Sequence, residues 1–343
     1  MKVDEVLHCS FPSWYNRFKD ITIKRYCSQF KQTFFIILFF SGTSTNYLIY
    51  FLIRHASGQE ENEDNVVGEE VLMPSFPEFE TAVKNKIKSC GGKVFPKLNW
   101  SSPQDATWIS FDKTLKCTCP SDIYLLLKSS EFITHDLTQP FCKCDDYSEV
   151  RDDIKVKYHL ILRQWQDLNL SAEFRCFVRN SQLIAISQRH HSVYYDHIVD
   201  QRKDIIKDIQ SFFYHMVVSK FPCTNYCFDI YRRDQGKLLL IDFNPFGSVT
   251  DSLMFTWEEL EGSVSIESTD TDTFRCVARP EGVQPSPYAS CGVPRDIIDL
   301  ATGQDPHKLM DLLKLVKQHL IWGADSTCNM YRDTSVIVPG LKY

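Results

Sequence analysis

Nowhere in its 343 residues does the chain carry a glycine-rich phosphate loop: G-x-x-x-x-G-K-[ST] and G-x-G-x-x-G are both missing. Their absence argues against a P-loop nucleotidase and against a dinucleotide-binding Rossmann domain. There is no surplus of positive charge either. Lys and Arg number 38 against 44 Asp and Glu, a formal net charge of -6. Such a balance gives no general attraction to nucleic acid or to an anionic membrane surface. No apolar stretch follows a basic start, so no secretory signal is expected. The 13 cysteines are odd in number and form no framework. Unpaired thiols without a signal fit a reducing compartment, and a cytoplasmic location is expected. No internal repeat occurs. What the chain does have is apolar substance: 43% of it is hydrophobic and 13% aromatic. That suffices for one large domain or two coupled lobes.

The opening "VLHCSFPSWYNRFKDITIKR" is aromatic and amphipathic, and suits a short strand or a helix packed on a core. Residues 33–53 carry no charge and are long enough to span a bilayer. The polar "SGTSTN" splits them into two runs that are each too short, so no membrane span is expected. The following "SGQEENEDNVVGEE" reads as an acidic loop. "FPEFETAVKNKIKSCGG" predicts a helix stopped by Gly91 and Gly92. "KVFPKLNW" predicts a short strand entering a loop, and "SDIYLLLKSS" a helix with Ser121 as its N-cap. "KYHLILRQW" is a strand, and "RNSQ" joins two more into a hairpin. "RKDIIKDIQSFFYHMVV" and "HKLMDLLKLVKQHL" are helical. Cys117/Cys119 and Cys142/Cys144 are spaced more tightly than zinc ligands usually are. In a strand such pairs merely share a face. Hairpins mixed with helices, without regular βαβ alternation, give an α+β fold class.

The stretch "FDIYRRDQGKLLLIDFNPFG" sets charges inside two apolar strands. A tight turn at Gln235-Gly236 suits the positive φ that glycine tolerates. It places Asp229 opposite Asp242, and Asn244 shares their face. Like charges directly opposite in a sheet repel. A divalent cation removes the conflict, and two carboxylates with an amide oxygen form a hard, all-oxygen set suited to Mg²⁺. The bland alternative is a solvated strand face. Phosphate needs cations too. Lys97 ends a strand, with Asn99, Trp100 and Ser101 behind it. Arg163 follows "HLIL", Glu173 and Arg175 alternate with apolar residues in "AEFRCFV", and Arg189 ends "LIAISQR". Each also has an ordinary reading as a surface charge or ion pair.

"VFPKLNWSSPQDATWI", "SDIYLLLKSS", "AEFRCFV", "ISQR", "YYDHI", "FDIYR", "LIDFNPFG" and "TDSLMFTWEEL", in this order, resemble the cell division cycle protein 123 homologues over most of 1–26 and 76–318. The resemblance implies an ATP-grasp fold, two α+β lobes whose sheets enclose a nucleotide cleft. It divides the chain into an N-terminal segment packing on the core (1–26), an atypical apolar segment and acidic loop (27–75), an N-terminal lobe (76–158), a C-terminal lobe (159–318) and a divergent tail (319–343). It implies a chaperone that binds the gamma subunit of eukaryotic translation initiation factor two and promotes assembly of the three-subunit factor, with ATP and Mg²⁺ as cofactors. By resemblance, Lys97, Asn99, Trp100 and Ser101 line the triphosphate. Arg163 and Trp165 lie near hinge and adenine, and Glu173, Arg175 and Arg189 face nucleotide. Asp229, Asp242 and Asn244 hold the metal. The alternative is an ATP-grasp ligase or kinase acting on a small molecule or protein. The same groups would serve either, so turnover is left open.

Overall fold

Phe11, Trp14 and Phe18 recur at helical spacing, and all three are buried. They make the opening of the chain helical: α1 (Val3–Cys9) and α2 (Phe11–Phe18), separated by the extended residue Ser10. The structure is a computed structural model and describes residues 1–23, 25–29, 77–150, 154, 156–263 and 273–285. All of them fall in the first of two units, Met1–Cys291 and Gly292–Tyr343. The expectations for 33–53, for the acidic loop, for the helix over 307–320 and for the tail lie outside the described residues. None of the described helices is long and apolar enough to cross a membrane.

After β1 (Arg25–Gln29), α3 (Pro77–Ser89) ends as predicted. Gly91 and Gly92 both take φ near +80°, and the Gly92 N–H returns to the Ile87 carbonyl at 2.9 Å. β2 (Val94–Lys97) follows. The helix expected to be capped by Ser121 starts two residues earlier, as α4 (Pro120–Lys128) capped by Cys119. Proline is pre-organised for a first helical turn. The Asp122 carboxylate accepts the Cys119 N–H at 3.2 Å, which leaves Ser121 no capping role. α5 (Glu131–Thr138) is capped by Ser130, whose Oγ accepts the Ile133 N–H at 3.2 Å.

β3 (His159–Gln164) stands between β1 and β2 in a three-stranded antiparallel sheet. β4 (Glu173–Arg179) and β5 (Gln182–Gln188) form the predicted hairpin. Its two turn residues, Asn180 and Ser181, both have positive φ, the backbone that matches strand twist in a two-residue turn. Then come α6 (Asp196–Asp200), α7 (Arg202–Phe212) running into a π-helical turn over Phe213–Val217, β6 (Tyr226–Asp234), β7 (Lys237–Pro245), α8 (Trp257–Leu260) and β8 (Phe274–Arg275). The larger sheet runs β7-β6-β4-β5-β8, antiparallel except for the β5–β8 edge. The class is α+β.

Each sheet is two-faced. Val94, Leu160 and Leu162 turn to α3, α4 and α5 and share a core with Val83, Ile87, Ile123, Leu126 and Ile133. In the larger sheet Phe174, Cys176, Phe228, Ile230 and Phe243 pack against α2 and α7. The strand period of two then sends Lys97 and Arg163 to the opposite face of the small sheet. It likewise gives Glu173, Arg175, Asp229, Asp242 and Asn244 a common face of the large one. Ile161, cross-strand partner of Lys97, belongs to the core of the larger sheet. The two polar faces meet where Lys97 reaches Asp242.

The β6–β7 register pairs Asp229 with Asp242 and Cys227 with Asn244, as the sequence predicts. The strands do not keep step throughout. One irregularity falls between Asp229 and Ile230 and another between Arg232 and Asp234, and they cancel: Asp234 pairs with Lys237 across Gln235-Gly236, where Gly236 has φ +70°.

Candidate functional site

The two aspartates do not face each other bare. Lys97 is only 1% exposed and ion-pairs with Asp242. Arg175 is buried and grips Asp229 with two parallel bonds, Nε to Oδ1 at 2.7 Å and Nη2 to Oδ2 at 2.8 Å. Its third nitrogen donates to the Asp251 carbonyl at 2.8 Å. This fork is the strong form of a carboxylate contact. Burial pushes the Asp229 carboxyl up, but Arg175, Arg189 and Lys97 together pull it below the usual carboxylate range. Burial works against the Arg175 charge as well, and Asp229 holds that guanidinium above its ordinary value. The repulsion that suggested a metal is therefore offset by side chains.

Around these pairs the cluster is complete on all sides. Arg189 Nε lies 3.9 Å from Asp229 Oδ2, and Asn244 Nδ2 lies 3.4 Å from the same oxygen. Glu173 pairs with His190 at 3.3 Å. Arg163 is buried over the Phe95 ring, 5.4 Å from its centroid. Burial pulls its guanidinium down to about 10, against the fields of Asp242 and Glu173, so it stays charged at neutral pH. Arg163 forms no ion pair among the described residues. Four cations (Lys97, Arg163, Arg175, Arg189) thus share a low-dielectric seam with three carboxylates (Glu173, Asp229, Asp242), while Asp136 acts on Lys97 and Asp251 on Arg175 from its margin. Cations gathered in this way can receive an anion.

Asn99, Trp100 and Ser101 are not turned toward the aspartates. The Asn99 amide spans backbone, donating to Lys157 O at 2.9 Å and accepting His159 N–H at 2.8 Å. Trp100 Nε1 donates to the Val6 carbonyl at 2.8 Å. Ser101 donates its N–H and its hydroxyl to Asp136, at 2.7 and 2.9 Å. Trp165 packs against the helical core beside the small sheet, and its indole N–H meets Asp167 at 2.9 Å. Sequence reasoning missed Asp136. The signal was available: Ile133 and Asp136 are three apart on α5, so a carboxylate lies on that helix's buried face. It also missed Ser187, buried and paired with Arg175 across β4–β5.

A metal would find one orphan here. Asp242 Oδ1 is buried and accepts no hydrogen bond. Asp229 and Asn244 beside it are of the oxygen-bearing types that suit Mg²⁺, but Arg175 occupies both Asp229 oxygens and Asn244 turns its amide nitrogen to Asp229, so these two would have to release or turn to join Asp242 on an ion. Among the described residues no three or more His, Cys, Asp or Glu side chains are grouped to hold an ion, so an ion here would rest on two carboxylates and an amide. The ten described cysteines are free thiols, and the two Cys-X-Cys pairs form no such group. A cleft of about 500 Å³ opens beside the β6–β7 turn, lined by His197, Asp204, Tyr231 and Arg232 rather than by the aspartates.

Residues 14–301 match the D123 family. The chain belongs to that family. Among D123 relatives, the "Translation initiation factor eIF2 assembly protein" of Xenopus laevis is 47% identical over 340 residues, covering 92% of this chain and 97% of the relative. The protein of the same name from Danio rerio is 42% identical, at 92% and 94%. A solved structure of Cdc123 from Schizosaccharomyces pombe has a TM-score of 0.65 and 33% identity, covering 81% of this chain and 99% of that one. The α+β architecture is shared with that protein. The kinship extends to proteins whose names tie them to eIF2 assembly.

Proposed function

We propose that this protein is an eIF2 assembly factor that binds ATP with Mg²⁺ in an ATP-grasp fold and receives the gamma subunit of eIF2. The assembly role is supported by relatives of that name that match nearly their whole length. The nucleotide reading rests on one observation: a buried seam between two sheets holds paired aspartates and four clustered cations. A core selected for stability alone has little use for it, because breaking any one pair leaves a buried charge uncompensated.

On this reading Asp242, through its unpartnered oxygen, joins Asp229 and Asn244 in holding Mg²⁺. The ion supplies charge neutralisation to the phosphates. Lys97, Arg163, Arg175 and Arg189 answer the remaining phosphate charge. Arg175 also keeps Asp229 ionised, and Lys97 stays on Asp242 through their ion pair until phosphate competes for its ammonium. Asn99, Trp100 and Ser101 serve by holding the turn from which Lys97 projects. Trp165 and Glu173 flank the base and sugar. The test is capture of eIF2 subunits on the immobilised full chain, with and without Mg²⁺-ATP. Retention of the gamma subunit, strengthened by nucleotide, is the expected result. A protein that binds ATP but retains no eIF2 subunit would refute the assembly reading alone.

A further inference from the structure

The turn that carries Lys97 out of β2 is fixed by a buried carboxylate, Asp136, which Lys97 itself faces. We propose that Asp136 is a positioning residue: it fixes the 98–101 turn through Ser101 and so sets Lys97 against Asp242. This deepens the nucleotide reading, on which Lys97 meets phosphate; the placement of Lys97 itself follows from the turn.

Asp136 is 4% exposed and takes both Ser101 donors, the N–H on Oδ2 at 2.7 Å and the hydroxyl on Oδ1 at 2.9 Å. The Ser101 carbonyl in turn accepts the N–H of Leu98, the residue after Lys97, at 2.8 Å. The rest of the turn is tied elsewhere: Asn99 to the backbone of Lys157 and His159, and Trp100 to Val6. Consecutive residues are thus anchored to α5, to the lead into β3 and to α1. Only a carboxylate suits the Asp136 position. It offers two acceptor oxygens to the adjacent N–H and O–H of one serine, whereas an amide replaces one acceptor by a donor. Holding it there is costly. Burial pushes the Asp136 carboxyl up to about 7, although the Ser101 donors and Lys97 favour its ionised form. Lys97 from β2 and Tyr158 ahead of β3 are the charged and titratable groups that face it. An apolar residue would avoid this desolvation cost, so the carboxylate is explained by what it holds.

The test reads Lys97 directly and needs no nucleotide. The full chain is acylated with an N-hydroxysuccinimide ester, and peptide mass spectrometry gives the labelling of Lys97 relative to the exposed Lys84. In the wild type Lys97 is expected to label slowly. Asp136→Asn should raise its relative rate about tenfold, the scale of one lost hydrogen bond. Ser101→Ala, which removes only the hydroxyl donor, should raise it less. The wild-type ratio should climb as pH falls through about 7, and Asp136→Asn should show no such step. If Asp136→Asn does not fold, Ser101→Ala decides. Unchanged Lys97 labelling in the folded variants, or a wild-type ratio flat in pH, overturns the proposal. ATP titration of the same preparations keeps the two readings apart: a wild type that binds no nucleotide defeats the proposed function, while the labelling still decides the role of Asp136.

Discussion

Asp229 and Arg175 form a buried, two-bonded pair, and neither is tolerable alone. Arg175→Ala leaves a carboxylate in the seam with only the more distant Arg189 and the Asn244 amide. It should cost about 3–5 kcal/mol in urea unfolding, the usual penalty for halving a buried pair. Arg175→Lys should recover little, because an ammonium cannot form the fork. A loss under ~1 kcal/mol would place the pair in water rather than in the core. Asp229 and Asp136 act on pH stability with opposite sign. Asp229 titrates low in the fold, so its stabilisation is present above the unfolded carboxylate range and is lost as pH falls through the depressed value. Asp136 titrates high. Between the unfolded carboxylate value, ~3.9, and about 7 the native state keeps a proton that the unfolded chain releases, so stability declines as pH rises through that window. Asp136→Asn should flatten the decline in melting temperature between about pH 4 and pH 7; an unaltered slope would show that another group is responsible.

At the scale of elements, the β6–β7 hairpin was the most legible part of the chain, and the reason is local. Gly236 fixes the turn, and period-two alternation fixes the faces, so the pairing of Asp229 with Asp242 followed from counting. The two cancelling irregularities did not, because a bulge depends on what packs against each strand and not on the strand's own residues. Gly236 has φ +70° and open space around the position of a Cβ. Gly236→Ala should therefore cost only the backbone term, ~1–2 kcal/mol, measurable by urea denaturation with nucleotide affinity unchanged. A larger loss would mean that the turn takes part in packing. The loop after Lys97 was read less well. The resemblance sets Asn99, Trp100 and Ser101 along one triphosphate, and their own sequence does not show which element each side chain reaches. Consecutive side chains leave a chain in different directions, however, and Asn99, Trp100 and Ser101 each reach a different element. The cap of α4 was misplaced for a comparable reason: a serine is a good N-cap, but Pro120 and the Asp122 carboxylate fix the start two residues earlier.

For the whole molecule, composition and alternation were enough to give the α+β class and the residues of the polar faces. They could not show that the two sheets meet along those faces, since that contact joins β2 to β7 across 145 positions of sequence. The meeting turns scattered cations and carboxylates into one cluster, and it changes which variant is informative. Asp242→Ala would strip Lys97 of its carboxylate and destabilise the protein by itself. Asp242→Asn keeps an oxygen for Lys97 and removes the charge a metal needs. A ligand at about 100 times its Kd adds ~2.7 kcal/mol to the native state, which is ample for detection. The measurement that tests the central claim most directly is the melting temperature of wild type and Asp242→Asn over a titration of Mg²⁺-ATP. The wild type should rise with nucleotide and only in the presence of the metal, while Asp242→Asn, which leaves the buried Lys97 facing a neutral amide, should melt below the unliganded wild type and stay flat. A wild type that does not respond, or an Asp242→Asn protein that shows the full rise, would contradict the assignment of this seam as the nucleotide site.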